Sequence, residues 1–403
     1  MAINEQDFEV LYLYSNRLVS AVPMQLHRYL YRQINWSNRL IGIKGSRGAG
    51  KSTLLLQHIR DTFSSSREAL YVSMDNLWFR THDIMDLVEY HFTHGGTHIF
   101  LDEIHYLPHW QTVLKNIYDA YPQLHIVYTG SSMLEIDAHE GDLSRRQRFY
   151  TLYGLSFREY LLFEGYEAGD AHTLEELLQS HERIAMPLTQ KMKVLPLFSD
   201  YLKHGYYPFY KEEGDGFYER VQSMIRQVLE NDLPHIEDVS FVSIQKIQRM
   251  LMILAERVPF TPKMAELYRE LDTNRELGLK MLYALDRAAL LAIYTNEVKN
   301  VKSLSKPDKI YLDNTNLMYC LSTHIDVGTL RETFFFNQLR ATQEVLLPKD
   351  GDFMINRTYL FEVGGRSKTF DQIKDIPNSF LAVDDLEIGH HNRIPLWMFG
   401  LLY

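Results

Sequence analysis

A chain of 403 residues is too long for one typical core and implies two or three domains at about 150 residues each. Its 45% hydrophobic and 23% charged residues are ordinary for a globular protein and exclude a large disordered segment. The net charge of −10 argues against a protein that coats nucleic acid over its whole surface, but residues 239–310 carry 12 Lys and Arg against 8 Asp and Glu, which leaves room for one local basic face.

A lone cysteine, Cys320, excludes an internal disulfide or a cysteine-rich metal site and fits a reducing compartment. It is expected to be buried and inert. The first residues are acidic where a signal peptide is basic, and no apolar run approaches the ~18 residues of a membrane span. The expectation is a cytoplasmic protein with no membrane partner.

Residues 7–35 read as a helical lead-in ending near Trp36. An apolar strand (Leu40, Ile41, Ile43) then runs into Gly45, Ser46, Arg47, Gly48, Ala49, Gly50, Lys51 and Ser52, with Thr53 opening an apolar helix. The spacing is Gly-x-x-x-x-Gly-Lys-Ser. Its glycines let consecutive amides face phosphate oxygens, and the helix N-terminus behind them favours an anion. Lys51 is placed for the β- and γ-phosphates and Ser52 for Mg²⁺. Strand before and helix after are the context that a chance glycine-rich turn lacks.

A second strand, Ala69 to Met74, ends in polar Asp75 and Asn76, as strands lining ligand crevices do. A helix over about 82–93 leads to His98–Glu103, an apolar strand ending in Asp102 and Glu103. Some fifty residues behind a phosphate loop, the first acid suits Mg²⁺ held through water, and the second suits proton abstraction from the attacking water. An amphipathic helix from Trp110 precedes the strand Leu124–Ser132. Its terminal hydroxyls, Thr129 and Ser131, are read either as a γ-phosphate sensor or as a cap on the next helix. The basic cluster Ser144, Arg145, Arg146, Arg148 offers an arginine finger from Arg145 or Arg146, within the subunit or to a neighbour, and the latter implies a homo-oligomer. Ser156 and Glu159 form a capping box, and Gly165 closes the domain.

Residues 170–238 read as helical. Glu230, Asp232, Glu237 and Asp238, with His235, are taken as a solvated helix end rather than a metal cluster. A helix over 243–256, a second over 262–271 opened by Thr261 and Pro262, and a third opened by a Thr273–Glu276 box lead into a hairpin (Leu290–Tyr294, Lys299–Ser305, Lys309–Leu312). Three helices and a hairpin describe a winged helix. Met281, Leu285 and Ala288 face its core, while Lys280, Tyr283 and Arg287 project together toward duplex DNA or form a solvated face.

In the last segment, Asp352 and Glu362 lie on neighbouring strands with Glu332 as a third acid. That layout resembles the PD-(D/E)xK nuclease fold, yet glycine stands at 364 where its lysine belongs. Lys368 is the nearest substitute, so an inactive nuclease-like fold is expected.

The stretches 45–52, 100–103 (Phe-Leu-Asp-Glu), 128–132 (Tyr-Thr-Gly-Ser-Ser), 155–160 (Leu-Ser-Phe-Arg-Glu-Tyr), 309–313 (Lys-Ile-Tyr-Leu-Asp) and 361–366 (Phe-Glu-Val-Gly-Gly-Arg) together resemble one family over about residues 10–403. It is that of prokaryotic AAA-type ATPases whose P-loop domain is followed by a winged helix and a C-terminal nuclease-like domain of unknown function. The resemblance implies ATP binding and hydrolysis on Lys51, Ser52, Asp102 and Glu103.

The expected fold is therefore α/β: a P-loop NTPase sheet at 1–165, a helical linker at 166–239, a winged helix at 240–325 and a nuclease-like α/β domain at 326–403. Two other functions stay open: a nucleotide-stabilised DNA- or protein-binding regulator with negligible hydrolysis, and an ATP-gated nuclease effector.

Overall fold

Short apolar runs become the strands β1 (Leu40–Gly45), β2 (Ala69–Ser73), β3 (His98–Asp102), β4 (His125–Ser131) and β5 (Arg148–Thr151). They form one sheet in the order β2-β3-β4-β1-β5, and every pairing is parallel. The computed structural model describes residues 5–65, 67–131, 143, 145–236, 241–257, 263–294 and 307–403. The chain divides into two units: Met1–Tyr153 with Asn231–Asp238, and Gly154–Glu230 with Val239–Tyr403.

In the first unit, the helices are α1 (Glu5–Ala21), α2 (Tyr29–Gln33), α3 (Lys51–Thr62), α4 (Ile84–Thr93) and α5 (Trp110–Ala120). Alternate strand residues feed two cores. Leu70, Val72, Ile99, Leu101 and Ile126 enter one with Phe8 and Leu11 of α1. Ile41, Ile43, Tyr71, Phe100 and Val127 enter the other with Leu30 of α2 and Leu54 of α3. Burial on both faces is why these strands read as nearly continuous apolar runs. Each fully buried Leu or Ile contributes roughly 1.5–3 kcal/mol.

β5 is an edge strand that the sequence reading passed over. Its basic first residue and alternating Phe149 and Tyr150 hide a short pairing with β1, in which Arg148 lies level with Ile41. The carboxyl ends of β1, β3 and β4 share one edge of the sheet, which is where parallel α/β sheets hold ligands.

In the second unit, Ser156 caps the helix Phe157–Phe163, and both halves of the box with Glu159 are present. This helix lies on the far side of the unit boundary, although the sequence reading ended the nucleotide domain at Gly165. The reason is packing: Leu155 N donates to Tyr206 O at 2.8 Å, and Phe157 meets Tyr201 and Trp397 edge-on.

Helices Phe241–Ala255, Met264–Glu270 and Arg275–Arg287 precede β6 (Leu291–Tyr294) and β7 (Lys309–Leu312), which pair antiparallel. The third helix is capped by Asn274, whose side chain accepts from Leu277 N at 2.9 Å. The helix thus starts one residue later than a Thr273 cap requires, and Glu276 moves out of the box position. Thr261, Pro262 and Lys299–Ser305 lie outside the described residues. Met281, Leu285 and Ala288 are buried.

After helix Val327–Leu339 comes a mixed sheet of β8 (Val345–Leu346), β9 (Phe353–Ile355), β10 (Tyr359–Gly364), β11 (Ser379–Val383) and β12 (Arg393–Pro395), in the order β12-β11-β10-β9-β8. Phe335 of the helix packs against Phe353, Phe361 and Phe399. Cys320 is half-buried, and burial pushes its thiol up to about 11, so little thiolate forms at neutral pH. Among the described residues, no helix is long and apolar enough to cross a membrane.

Candidate nucleotide site

β1 ends at Gly45, where the backbone passes so close to Leu152 that a Cβ would lie 2.3 Å from its carbonyl oxygen. Gly48 and Gly50 have φ of 79° and 96°, in the left-handed region that glycine enters without strain. α3 then starts at Lys51 with no side chain capping its first amides. Those N–H groups and the helix dipole are what a phosphate satisfies. Lys51 folds back, and Nζ donates to the carbonyls of Gly45 at 2.8 Å and Ser46 at 3.2 Å. Arg28, from the lead-in, buttresses the loop from behind by donating to the Ala49 and Tyr153 carbonyls.

β3 delivers Asp102 to the same edge, 2% exposed. Tyr71 OH donates to its Oδ2 at 2.6 Å, and Thr129 Oγ1 donates to its Oδ1. Burial first and Asp102 second push the Tyr71 phenol far up, so it stays a donor; Ser52 follows Lys51 in the first turn of α3.

Glu103 leaves the strand with φ 51° and ψ 49°. For a non-glycine residue this costs about 1–2 kcal/mol. Its N–H donates to Thr129 Oγ1 at 3.2 Å, which holds the kink. Burial raises the Glu103 carboxyl above the usual carboxylate range, and Lys51 is the largest opposing influence. The carboxylate thus lies within the influence of the Lys51 charge, and its Oε2 is 3.4 Å from His105 Nδ1.

Thr129, read as a phosphate sensor or a cap, is tied to both acids, and Ser131 pairs in register with Gly45 and is buried beside the loop. Ser132 and Ser144 lie outside the described residues. Arg146 is not brought to Lys51 within the chain. It pairs with Asp119 near the end of α5 at 3.2 Å, and the cluster leads into β5 at a register level with the start of β1. The register places Arg145 and Arg146 toward the amino ends of the strands, away from the glycine loop at the carboxyl end of β1.

The residues that sequence reasoning missed gather on the other side of Glu103. Asp232, read as part of a solvated helix end, is 2% exposed and belongs to the nucleotide unit. Arg47 Nη1 donates to both of its oxygens, at 3.0 and 2.9 Å, and Tyr106 OH donates to Oδ1 at 3.0 Å. Burial opposes the Asp232 charge, but His105 and Arg47 outweigh it and hold the carboxyl below its ordinary value. Glu237 and Asp238 lie outside the described residues. No local pattern marks an acid that meets its arginine 185 positions away.

A second charged cluster lies in the other unit. Glu332 accepts from Lys309 Nζ at 2.8 Å and Tyr311 OH at 2.6 Å, and Asp352 accepts from Val363 N at 2.9 Å. Lys368 Nζ reaches Glu362 at 3.4 Å. A Cβ on Gly364 would meet the Lys368 stem at 2.8–2.9 Å, so the lysine occupies the space that a side chain at 364 would fill. The turn that carries the lysine is held in place: Lys368 N donates to Gly365 O at 3.0 Å, and Arg393 donates to the Lys368 carbonyl at 2.7 Å. Among the described residues, no group of three or more His, Cys, Asp or Glu is arranged to hold a metal ion.

The strand order and the glycine loop define a P-loop NTPase sheet, and residues 37–161 match the AAA domain family. The family match lies within the first unit and the start of the second, and takes in the glycine loop and the acids ending β3. Over 397 residues the chain is 27% identical to the uncharacterized protein MJ1637 of Methanocaldococcus jannaschii, covering 89% of this chain and 82% of that one. Among solved structures, AMPPCP-bound DnaA from Aquifex aeolicus is 14% identical over 71% of this chain and 89% of its own, with a TM-score of 0.25. C. elegans PCH-2 is 16% identical over 40% of this chain, which spans only 46% of that protein, with a TM-score of 0.23. Superpositions this loose leave the fold to the strand order and the loop.

Proposed function

We propose that the chain binds Mg²⁺-ATP at residues 45–53 and hydrolyses it to ADP and phosphate, acting as a molecular switch or motor. The observation that carries this is the convergence of Lys51, Asp102 and Glu103 on one sheet edge, with Glu103 held in a strained backbone conformation and its carboxylate within the influence of the Lys51 charge. Strain of this kind persists where function requires it.

The amides of the loop and of the start of α3 bind the phosphates, and Lys51 exchanges its two carbonyl partners for phosphate oxygens. Ser52 and Asp102 offer hydroxyl and carboxylate oxygens, the hard donors that Mg²⁺ prefers, and Tyr71 and Thr129 fix the orientation of the Asp102 carboxylate. When bound, Mg²⁺ neutralises charge on the β- and γ-phosphates. Glu103 takes a proton from the attacking water, a role that a carboxyl raised by burial serves well. The test is phosphate release from ATP by the purified chain, which should require both Mg²⁺ and Lys51. Release that persists in Lys51→Ala would remove the assignment.

A second reading, binding of duplex DNA, is favoured by the three helices and antiparallel pair over 241–312, which resemble a winged helix. Lys280 and Tyr283 lie on the third helix, and Arg287 ends it. Lys280 is exposed and paired with Glu276 at 2.8 Å, an exchange that a phosphate can win, since exposed pairs contribute little. Replacing Lys280 and Arg287 with Ala should flatten the salt dependence of duplex binding, by about 0.9 in the log–log slope for each phosphate no longer neutralised. No binding at low salt would leave this module a packing element. We assign the 326–403 region a structural or binding role without nuclease activity, since the acids described there are engaged by partners within the chain.

A further inference from the structure

Beside the groups assigned to phosphate and metal, the nucleotide unit holds a polar chain that the reaction scheme leaves unused. Arg47 grips Asp232 with one nitrogen on both oxygens. On the far side of Asp232 lies the His105 ring, with Nε2 at 3.9 Å from Asp232 Oδ1 and Nδ1 at 3.4 Å from Glu103 Oε2. The ring is buried, its side chain 1% exposed, and among the described residues neither nitrogen has a hydrogen-bond partner. At these distances the contacts are electrostatic, and the ring keeps two carboxylates apart. The segment carrying Asp232 belongs to the nucleotide unit, although the residues on both sides of it in the sequence belong to the other unit.

Three cationic or imidazole groups influence the Glu103 carboxylate: Lys51, His105 and Arg47. Lys51 and Arg47 sit in the glycine loop, so arriving phosphates draw Lys51 from its carbonyls and Arg47 from Asp232. His105 stands outside the loop and is the neighbour that phosphates do not draw away. We propose that Asp232 is a positioning residue for hydrolysis, acting on Glu103 through His105. Arg47 links the same carboxylate to the phosphate loop. When nucleotide draws on Arg47, Asp232 turns its demand to His105, and the ring settles the Glu103 carboxylate at its working position. The backbone of Glu103 is already fixed by Thr129, so the side chain is the freedom left to control. Neither Asp232 nor His105 touches the reacting atoms in this scheme.

The inference rests on the reading that the chain hydrolyses ATP. It is tested on the full chain with Asp232→Asn, His105→Asn and the double variant, measuring kcat and KM for phosphate release, equilibrium affinity for ATP, and thermal unfolding. Asp232→Asn keeps shape and an oxygen for Arg47, so it is the variant least disposed to unfold, and His105→Asn gives a second route if it does. The expected result is a loss of about 10- to 100-fold in kcat with ATP affinity held within about threefold. The double variant should be no slower than the slower single, because residues acting as one unit are not additive. Asp232→Glu should recover part of the rate.

Unchanged kcat in Asp232→Asn beside an active wild type would overturn this inference alone. So would losses that multiply in the double variant, or an ATP affinity that falls as far as kcat. A wild type that releases no phosphate would overturn the hydrolysis reading and this inference with it.

Discussion

The glycine loop at 45–52 and the turn at 364–365 each combine glycine, lysine and nearby acid, and they use the glycine in opposite ways. In the first, Gly48 and Gly50 shape a backbone that leaves amides pointing outward, and Lys51 donates to two carbonyl oxygens that a ligand can replace. In the second, the absent side chain of Gly364 is filled by the stem of Lys368, whose Nζ already meets Glu362. The first arrangement keeps a charge available for exchange, whereas the second spends its charge on the fold. A lysine near a carboxylate therefore says little until its present partner is known: carbonyl oxygens release it cheaply, and a carboxylate that is 4% exposed does not.

That contrast breaks most sharply on removing each lysine. Lys51→Ala should weaken ATP binding by about 100-fold or more while thermal unfolding shifts little, because its two hydrogen bonds to carbonyls contribute about 1 kcal/mol each and Glu103, raised by burial, can take up a proton when the Lys51 charge is gone. Lys368→Ala should do the reverse, leaving ATP affinity unchanged and lowering stability by about 1–3 kcal/mol, since the buried Glu362 loses its charged partner and keeps the Gln372 amide. Calorimetric titration with ATP and a melting curve on both variants decide it. Equal stability losses in the two would erase the distinction.

Acid should separate the two units next. In the nucleotide unit, burial lowers His58, His91 and His98 from 6.5 to about 4. Between those values the unfolded chain binds protons that the folded chain does not. Stability therefore rises with pH, and it is lost as pH falls from 6.5 toward 4, by at most about 1.4 kcal/mol per unit for each histidine. In the second unit, burial raises Asp286 from 3.8 to about 6, so there the folded form binds the extra proton and gains stability as pH falls from 6 toward 3.8. His204, lowered by burial, partly opposes that gain. Hydrogen exchange at pH 7 and pH 5 should show the nucleotide unit loosening first. Equal loosening of both units would count against these burial assignments.

The smallest effect is expected at the filled glycine. Gly364→Ala places a methyl group against the Lys368 stem, which must shift and draw Nζ from Glu362. A flexible stem yields, so the loss should be about 1 kcal/mol in a melting curve, the low end for overpacking. A neutral or stabilising change would mean that the lysine does not rest there.

What the sequence made legible was what lies close together along the chain. The phosphate loop, the acids ending β3 and the Ser156 box are each written within a few residues, and each local pattern has one physical reading. Asp232 was illegible because its neighbours are polar and acidic, like a solvated helix end, and only the fold brings it to Arg47. Thr129 was placed on the right strand end, but whether it served phosphate or protein depended on distances to Asp102 and Glu103. Lys368 was seen as a distant substitute for a residue at 364, and spacing could not show that its stem lies over the missing side chain. Arg145 and Arg146 drew attention by charge, while the edge on which they stand is set by the register of β5 with β1.

The central claim is that Glu103, in its left-handed kink at the end of β3, drives hydrolysis. Its most direct test is phosphate release at saturating Mg²⁺-ATP by the wild type and by Glu103→Gln, with ATP affinity measured alongside. The glutamine keeps the shape and loses the base. The account predicts ATP affinity within about threefold of wild type and turnover slower by about 10²- to 10⁴-fold. Wild-type turnover in Glu103→Gln would contradict it.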